Sequence, residues 1–376
     1  MTMTDTIDNE FVITAEQVFD GYRVLPQHAV LVKGDRITDV VPTDQATGPG
    51  RRIEIAGTLL PGFIDLHAHV LLDRTPLDVV LRHGLTTVRD TGGPLRAPSG
   101  GDGRLRVLSA GPILTAPGGY PIPIFGPDAA WEVPDPDAAR AAVRHHVEHG
   151  AALIKIALEP GGSAGAPWSA HSTSVAPPWP LPSLEVVTAI VDEAHAHGRR
   201  VAAHVSGIAG VELALAAEVD EWAHVPCDLL PDELIARAAA AGVRIVGTLD
   251  TQSRTAGVFG NAVRLTEAGV RLLYGTDLAH PDVPWGIDAF ELQLMQHIAH
   301  GALTAADVLS AATARAGEHL GLAPLGQLVP GAPADLIGVS GNALERFKSL
   351  EYPDLVMSGG VVVTDASALA DVRVSS

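Results

Sequence analysis

The middle of this chain alternates short apolar runs with Ala-rich amphipathic stretches, and this alternation constrains the fold more than any other feature. The runs are PGFIDLH, TTVRDT, RVLSAG, LIKIAL, VAAHV, EWAHV, RIVGTL and LLYGTD, each of strand length. Between several of them lie segments such as DAARAAVRHHVEHG, IAGVELALAAE and PDELIARAAAAG, with apolar residues at helical spacing. Parallel strands need a crossover, usually a helix. Eight strands with such crossovers predict an α/β fold, a (β/α)8 TIM barrel.

The two ends read differently. FVITAEQVFDG, AVLVKGDRITDVV and RRIEIAG are short strands near one end, with a Gly34-Asp35 hairpin signal. LGQLVPGAPADLIGV and DLVMSGGVVV are similar at the other end. The expectation is one small β-sandwich from residues 1–60 plus 326–376, with the barrel over 61–325.

In such barrels functional groups sit at the C-terminal strand ends. The tripeptide His-Ala-His occurs twice, at His67–His69 and at His195–His197. On a strand, residues i and i+2 share a face about 6.6–6.8 Å apart, so two imidazoles can lean onto one ion. On a helix they diverge by about 200°. Pro61-Gly62 opens the first copy as a turn leading into a strand. Ser183 as N-cap, helical spacing from Val186 to Ala194 and a stop at Gly198 place the second copy on a helix. His67 and His69 are therefore the candidate chelators, and His195 and His197 face solvent and core edge.

The same filter selects Lys155 in strand four, His204 at the end of strand five, His224 at the end of strand six and Asp277 at the end of strand eight. An ammonium among apolar neighbours is costly to bury and demands a reason. Histidine and aspartate are ordinary ligands of a borderline metal such as Zn²⁺, although Mn²⁺, Co²⁺ or Fe²⁺ also use them. A bound metal lowers the pKa of water from 15.7 to about 7, and two metals about 3.5–4 Å apart can share the hydroxide. A desolvated lysine can lose its proton. Its neutral amine can then take up carbon dioxide as a carbamate, which turns a cation into an anionic bridge between two metals.

With these stretches in hand, the chain resembles the amidohydrolase superfamily, within it the imidazolonepropionase-like group that includes metal-dependent Xaa-Pro dipeptidase homologues. LLPGFIDLHAH, GLTTVRDTGG, RVLSAGPILTAPGG, GAALIKIAL, VDEAHAHGRRVAAHVSG, EWAHV, LLYGTDLAH and LGQLVPGAPADLIGV carry the resemblance over nearly the whole chain. It implies that His67, His69 and Asp277 hold the more buried metal. His204 and His224 would hold the second, and carbamylated Lys155 would bridge them. Asp277 would also pass a proton from the attacking hydroxide to the leaving group. The implied activity is hydrolysis of an amide-type C–N bond in a dipeptide, N-acyl amino acid or cyclic amide. A one-metal deaminase, an imidazolone-type ring hydrolase or a lactonase is the alternative, and a non-catalytic barrel is the reading from another class. The deaminase branch commonly carries an acid three residues after the strand-five histidine. Gly207 stands there instead, which favours the two-metal hydrolytic branch.

Tyr120, His171, Arg254, His280 and Trp285 lie in loops after the strands and are candidate substrate contacts. The stretch LEPGGSAGAPWSAHSTSVAPPWPLP after strand four reads as a lid or substrate loop. Cys227 reads as structural, and His145, His146 and His149 as a solvated helix face. The net charge of −19 argues against nucleic acid and anionic membranes. One cysteine excludes an intrachain disulfide. An acidic, polar N-terminus without a leader pattern, and no apolar run near the ~18 residues of a membrane span, lead to the expectation of a cytoplasmic enzyme. Its partner would be a small-molecule substrate, and a homo-oligomer is open.

Overall fold

The computed structural model describes residues 9–72 and 75–366; residues 1–8 and 367–376 of the expected small domain lie outside them. Strands Phe63–Ala68, Leu85–Asp90, Arg106–Ser109, Ile154–Leu158, Val201–Val205, Glu221–Trp222, Arg244–Val246 and Leu272–Leu273 fall on the eight expected runs. Their pairings are parallel. The third and fourth strands are linked where Ala152 N–H donates to the Ser109 carbonyl at 2.8 Å. A parallel bridge between Ala68 and Leu278 joins the eighth strand to the first and closes the ring.

The helices form where the sequence provides both an apolar face and an end signal. Asp135 caps Pro136–Glu148 by accepting from Ala138 N–H, and Ser183 caps Leu184–Ala196 by accepting from Val186 N–H. Asp232–Ala241 stops at Gly242, which takes the left-handed conformation at φ 67°. Their apolar faces join the strands in one core around Trp222, Ile156, Val205 and Leu292.

Both chain ends build the second unit. Hydrogen bonds join seven strands in the order Val361–Asp365, Leu355–Ser358, Leu336–Ser340, Arg51–Pro61, Glu10–Phe19, Val24–Lys33 and Arg36–Pro42. The two ends meet where Leu336–Ser340 pairs antiparallel with Arg51–Pro61. Ile13, Val30, Ile55, Leu336 and Met357 share its own apolar core. The Gly34-Asp35 hairpin forms as expected, with Gly34 at φ 61°. Arg51–Pro61 runs through Gly62 directly into the first barrel strand. A Cβ at Gly62 would stand 2.2 Å from the Thr86 side chain, so only glycine lets the two strands pass this closely.

The long segment after strand four holds one 3-10 turn, Pro167–Ala170, and buries Trp168 and Trp179. It therefore packs as a cover on the face at the C-terminal end of strand four. Among the described residues no helix is long and apolar enough to cross a membrane.

Candidate metal centre

The first strand delivers His67 and His69 to one face, their ring centroids 5.3 Å apart. His67 is buried, and its Nδ1 lies 3.0 Å from the Ala223 carbonyl, to which it donates. That fixes the tautomer and leaves Nε2 with a free lone pair, buried and without a hydrogen-bond partner.

Asp277 enters from the far side of the ring closure. Its backbone takes the left-handed conformation, φ 63°, which aspartate tolerates better than most residues. In that turn its N–H donates to the His67 carbonyl at 2.9 Å, and the carboxylate comes back toward the imidazoles. Asp277 Oδ1 stands 3.5 Å from His67 Nε2 and 3.3 Å from His69 Nε2. The ligand atoms of these three residues lie within 4.8 Å of one another. Burial pushes the Asp277 carboxyl up, but the facing His67, His69 and His224 outweigh it and hold it well below the usual range.

Strands five and six deliver the next pair. His204 Nδ1 lies 3.0 Å from His224 Nε2, and His224 Nδ1 lies 2.9 Å from Thr248 Oγ1. The His67 and His224 ring centroids are 4.6 Å apart, so both groups share one mouth. Burial, reinforced by neighbouring imidazoles and Lys155, pushes His224 well below the ordinary histidine range and keeps it neutral.

Lys155 is 1% exposed, and its Nζ has no hydrogen-bond partner. Burial lowers it to about 7, against the opposing pull of Asp277 and Glu221. Below the mouth, Arg89 NH1 donates to Glu221 Oε2 at 3.0 Å, and His319 completes this buried cluster. The structure thus brings His67, His69, Lys155, His204, His224 and Asp277 together. The orphaned Nζ of Lys155 and Nε2 of His67, with His67, His204 and His224 pushed toward the neutral form and an ionised carboxylate, fit divalent metal ions.

The loop candidates divide. Tyr120 stacks on His204 with centroids 4.5 Å apart, and Trp168 meets the same ring edge-on at 4.6 Å. His280 and Trp285 line a cavity of about 640 Å³ with His83 and Tyr352. Arg254 is exposed and pairs with Asp282 at 3.3 Å, and His171 is exposed against Phe125. Their positions on loops gave no information on direction.

His195 pairs with Asp220 at 2.9 Å and His197 with Glu193 at 3.2 Å, both on the exposed side of their helix. Cys227 is buried and donates to Gln252 Oε1. His146 is a correction. It is not part of a solvated face but fully buried, its ring nitrogens 2.8 Å from the Ala142 carbonyl and 3.0 Å from that of Pro112. It follows Ala142 and Val143 by four and three residues, which puts it on the inner helix face.

Sequence reasoning passed over two buried carboxylates, Asp65 and Glu159. Both had a signal. Asp65 precedes His67 by two residues and Glu159 follows Lys155 by four, so strand alternation puts each on the same face as a site residue. Trp168 and Trp179 carried no comparable signal.

The comparisons with known proteins give the family. The model of the amidohydrolase family matches residues 58–363, and that of the NagA composite domain matches residues 11–60. An uncharacterized protein of Mycobacterium tuberculosis is 28% identical over 338 residues, covering 81% of this chain and 85% of that protein. Ochratoxinase of Aspergillus niger is 28% identical over 296 residues, 70% of this chain and 57% of its own. Its crystal structure superposes with a TM-score of 0.75 at 22% identity, covering 95% of this chain and 96% of that one. A Xaa-Pro dipeptidase with bound methionine gives a TM-score of 0.73 at 22% identity over 94% of this chain and 99% of that one. The chain belongs to the amidohydrolase family and is a hydrolase acting on carbon–nitrogen bonds.

Proposed function

We propose that this enzyme is a two-metal amidohydrolase that cleaves the amide-type bond of a small molecule, with N-acyl amino acids and dipeptides as the leading class and cyclic amides next. The observation that carries the reading is Lys155, a fully buried amine without a hydrogen-bond partner, whose charge acts on His67, His204 and His224 alike.

His67, His69 and Asp277 would hold one ion, His204 and His224 the other. When bound, such ions supply a water acidic enough to attack at neutral pH and polarise the scissile carbonyl. The neutral Nζ of Lys155 would add to carbon dioxide through its lone pair and lose one N–H proton to solvent, and the carbamate would supply anionic oxygen to the ions. Asp277 is held ionised by its imidazole neighbours and takes the proton of the attacking water on a carboxylate oxygen. It then delivers that proton to the departing nitrogen. Tyr120 and Trp168 exclude water from the His204 side. The names of two relatives, ochratoxinase and Xaa-Pro dipeptidase, support an amide substrate.

Elemental analysis of the native protein and of Lys155→Ala, both purified with bicarbonate, tests the reading. The expected result is about two metals per chain in the first and one or none in the second. One metal in both overturns the carbamate bridge and moves the reading to a one-metal ring hydrolase. A screen of N-acyl amino acids, dipeptides and cyclic amides then assigns the substrate.

A further inference from the structure

His204 is gripped from every side. Tyr120 stacks on one face, Trp168 abuts the ring edge-on, and Nδ1 faces His224 Nε2 at 3.0 Å. The remaining nitrogen, Nε2, faces Glu159 Oε2 at 3.4 Å. Glu159 is 1% exposed and is itself fixed, with the Ser206 hydroxyl and the Gly161 N–H donating to its two oxygens.

We propose that Glu159 is the positioning residue that holds His204 as the Nε2–H tautomer and so presents Nδ1 as a metal ligand. The role has its purpose only if His204 serves the second metal, as read above.

The hydrogen positions follow from electrostatics. A neutral imidazole carries one N–H. With that hydrogen on Nδ1, the Nε2 lone pair would point at a buried carboxylate, and water could not screen the repulsion. With the hydrogen on Nε2, that N–H faces the Glu159 carboxylate 3.4 Å away, a contact outside hydrogen-bond geometry in the metal-free protein, and the Nδ1 lone pair is directed toward His224. In the metal-free protein His224 supplies the hydrogen between the two rings, and its Nδ1 accepts from the Thr248 hydroxyl. With a metal ion held there, His224 would instead be the Nδ1–H tautomer, donating to Thr248 Oγ1 and leaving its Nε2 lone pair free beside Nδ1 of His204. An acceptor behind a ligating imidazole fixes its tautomer and raises its basicity, and its loss typically weakens metal binding about 10–100-fold.

Glu159 is also the first residue of the strand-four cover, and Trp168 lies on the same segment. The cover and the second metal position therefore meet on one imidazole.

Two measurements test this. The first is long-range ¹H–¹⁵N NMR of the histidine rings in the metal-free wild-type protein above neutral pH, with His204 assigned by its loss in His204→Asn. An Nε2–H signal for His204 is expected, and an Nδ1–H signal overturns the inference whether or not two metals bind. The second is Zn²⁺ titration of wild type, Glu159→Gln and Glu159→Leu. The expected result is weaker second-site binding by about 10–100-fold in the leucine variant. An intermediate loss is expected with glutamine, and unchanged first-site binding in both. Second-site affinity equal to wild type in both variants overturns the role and leaves the two-metal reading intact. If wild type takes up a single ion, the two-metal reading fails, and the spectrum still decides what Glu159 does to the ring. Should the leucine variant not fold, the isosteric glutamine and the wild-type spectrum carry the test.

Discussion

Thr276 donates its hydroxyl to Asp65 Oδ2 at 2.6 Å, and this bond ties the eighth strand to the first beside the closure of the barrel. Asp65 Oδ1 also accepts from His67 N–H at 2.8 Å. One buried carboxyl thus sets the spacing between His67 and Asp277. Asp65→Ala leaves these donors unsatisfied, and each such loss costs about 1–3 kcal/mol. Urea unfolding should show a loss of at least that size, and metal binding at His67, His69 and Asp277 should weaken. Asp65→Asn retains an acceptor for His67 and should be milder. Equal, small effects from both variants would show that the ring closure does not depend on this residue.

Lys155→Met separates stability from metal binding. The native amine is buried without a partner, which costs free energy in the metal-free protein. Methionine has similar length and no such cost. The metal-free variant should therefore be more stable than metal-free wild type by about 1–3 kcal/mol, while its metal content falls. Paired denaturation and elemental analysis check this. A destabilised Met variant would mean that Nζ has polar company in solution.

The acid group formed by Asp250, Asp288 and Glu291 gives a pH dependence. Burial raises Asp288 to about 7, with the charge of Asp250 adding to it, and raises Glu291 well above its usual value. Between the ordinary carboxylate value near 3.8 and about 7, folded Asp288 keeps a proton that the unfolded chain has released. Its contribution is then fully present below the unfolded value and is lost as pH rises through the folded one. Wild type should lose stability from this source as pH rises toward and past 7, and Asp288→Asn should flatten that part of the curve. Denaturant midpoints across this range provide the readout. An unchanged slope in the Asn variant would exonerate Asp288.

Trp285 is half exposed and lines the 640 Å³ cavity beside the loop that follows Asp277. If part of the substrate rests there, Trp285→Ala removes binding common to ground and transition states. KM should rise roughly fivefold, about 1 kcal/mol of aromatic contact, with kcat and metal content unchanged. An unaltered KM across the substrate screen would put this cavity outside the substrate path.

The eight strand runs were legible because each is a compact apolar run bounded by turn residues, and the helix carrying the second His-Ala-His because Ser183 and Gly198 mark its ends. The six residues at the mouth could be picked out because barrel geometry directs attention to strand ends, where parity alone puts His67 and His69 on one face. His146 was misread because its helix carries neighbouring histidines, although its spacing from Ala142 and Val143 puts it on the inner face. Arg254 and His171 are exposed in their loops: a loop position gives proximity to the mouth but not direction.

The sequence by itself determined the order of strands and helices, the barrel and the set of residues delivered to its mouth, because these depend on local periodicity and on strand parity. Only the tertiary structure decided which nitrogen of each imidazole faces its neighbours, that Asp65 clamps the ring and Glu159 backs His204, and that Trp168 and Trp179 cover the site. Those choices depend on hydrogen bonds and contacts between segments far apart in the chain, and no local pattern encodes them.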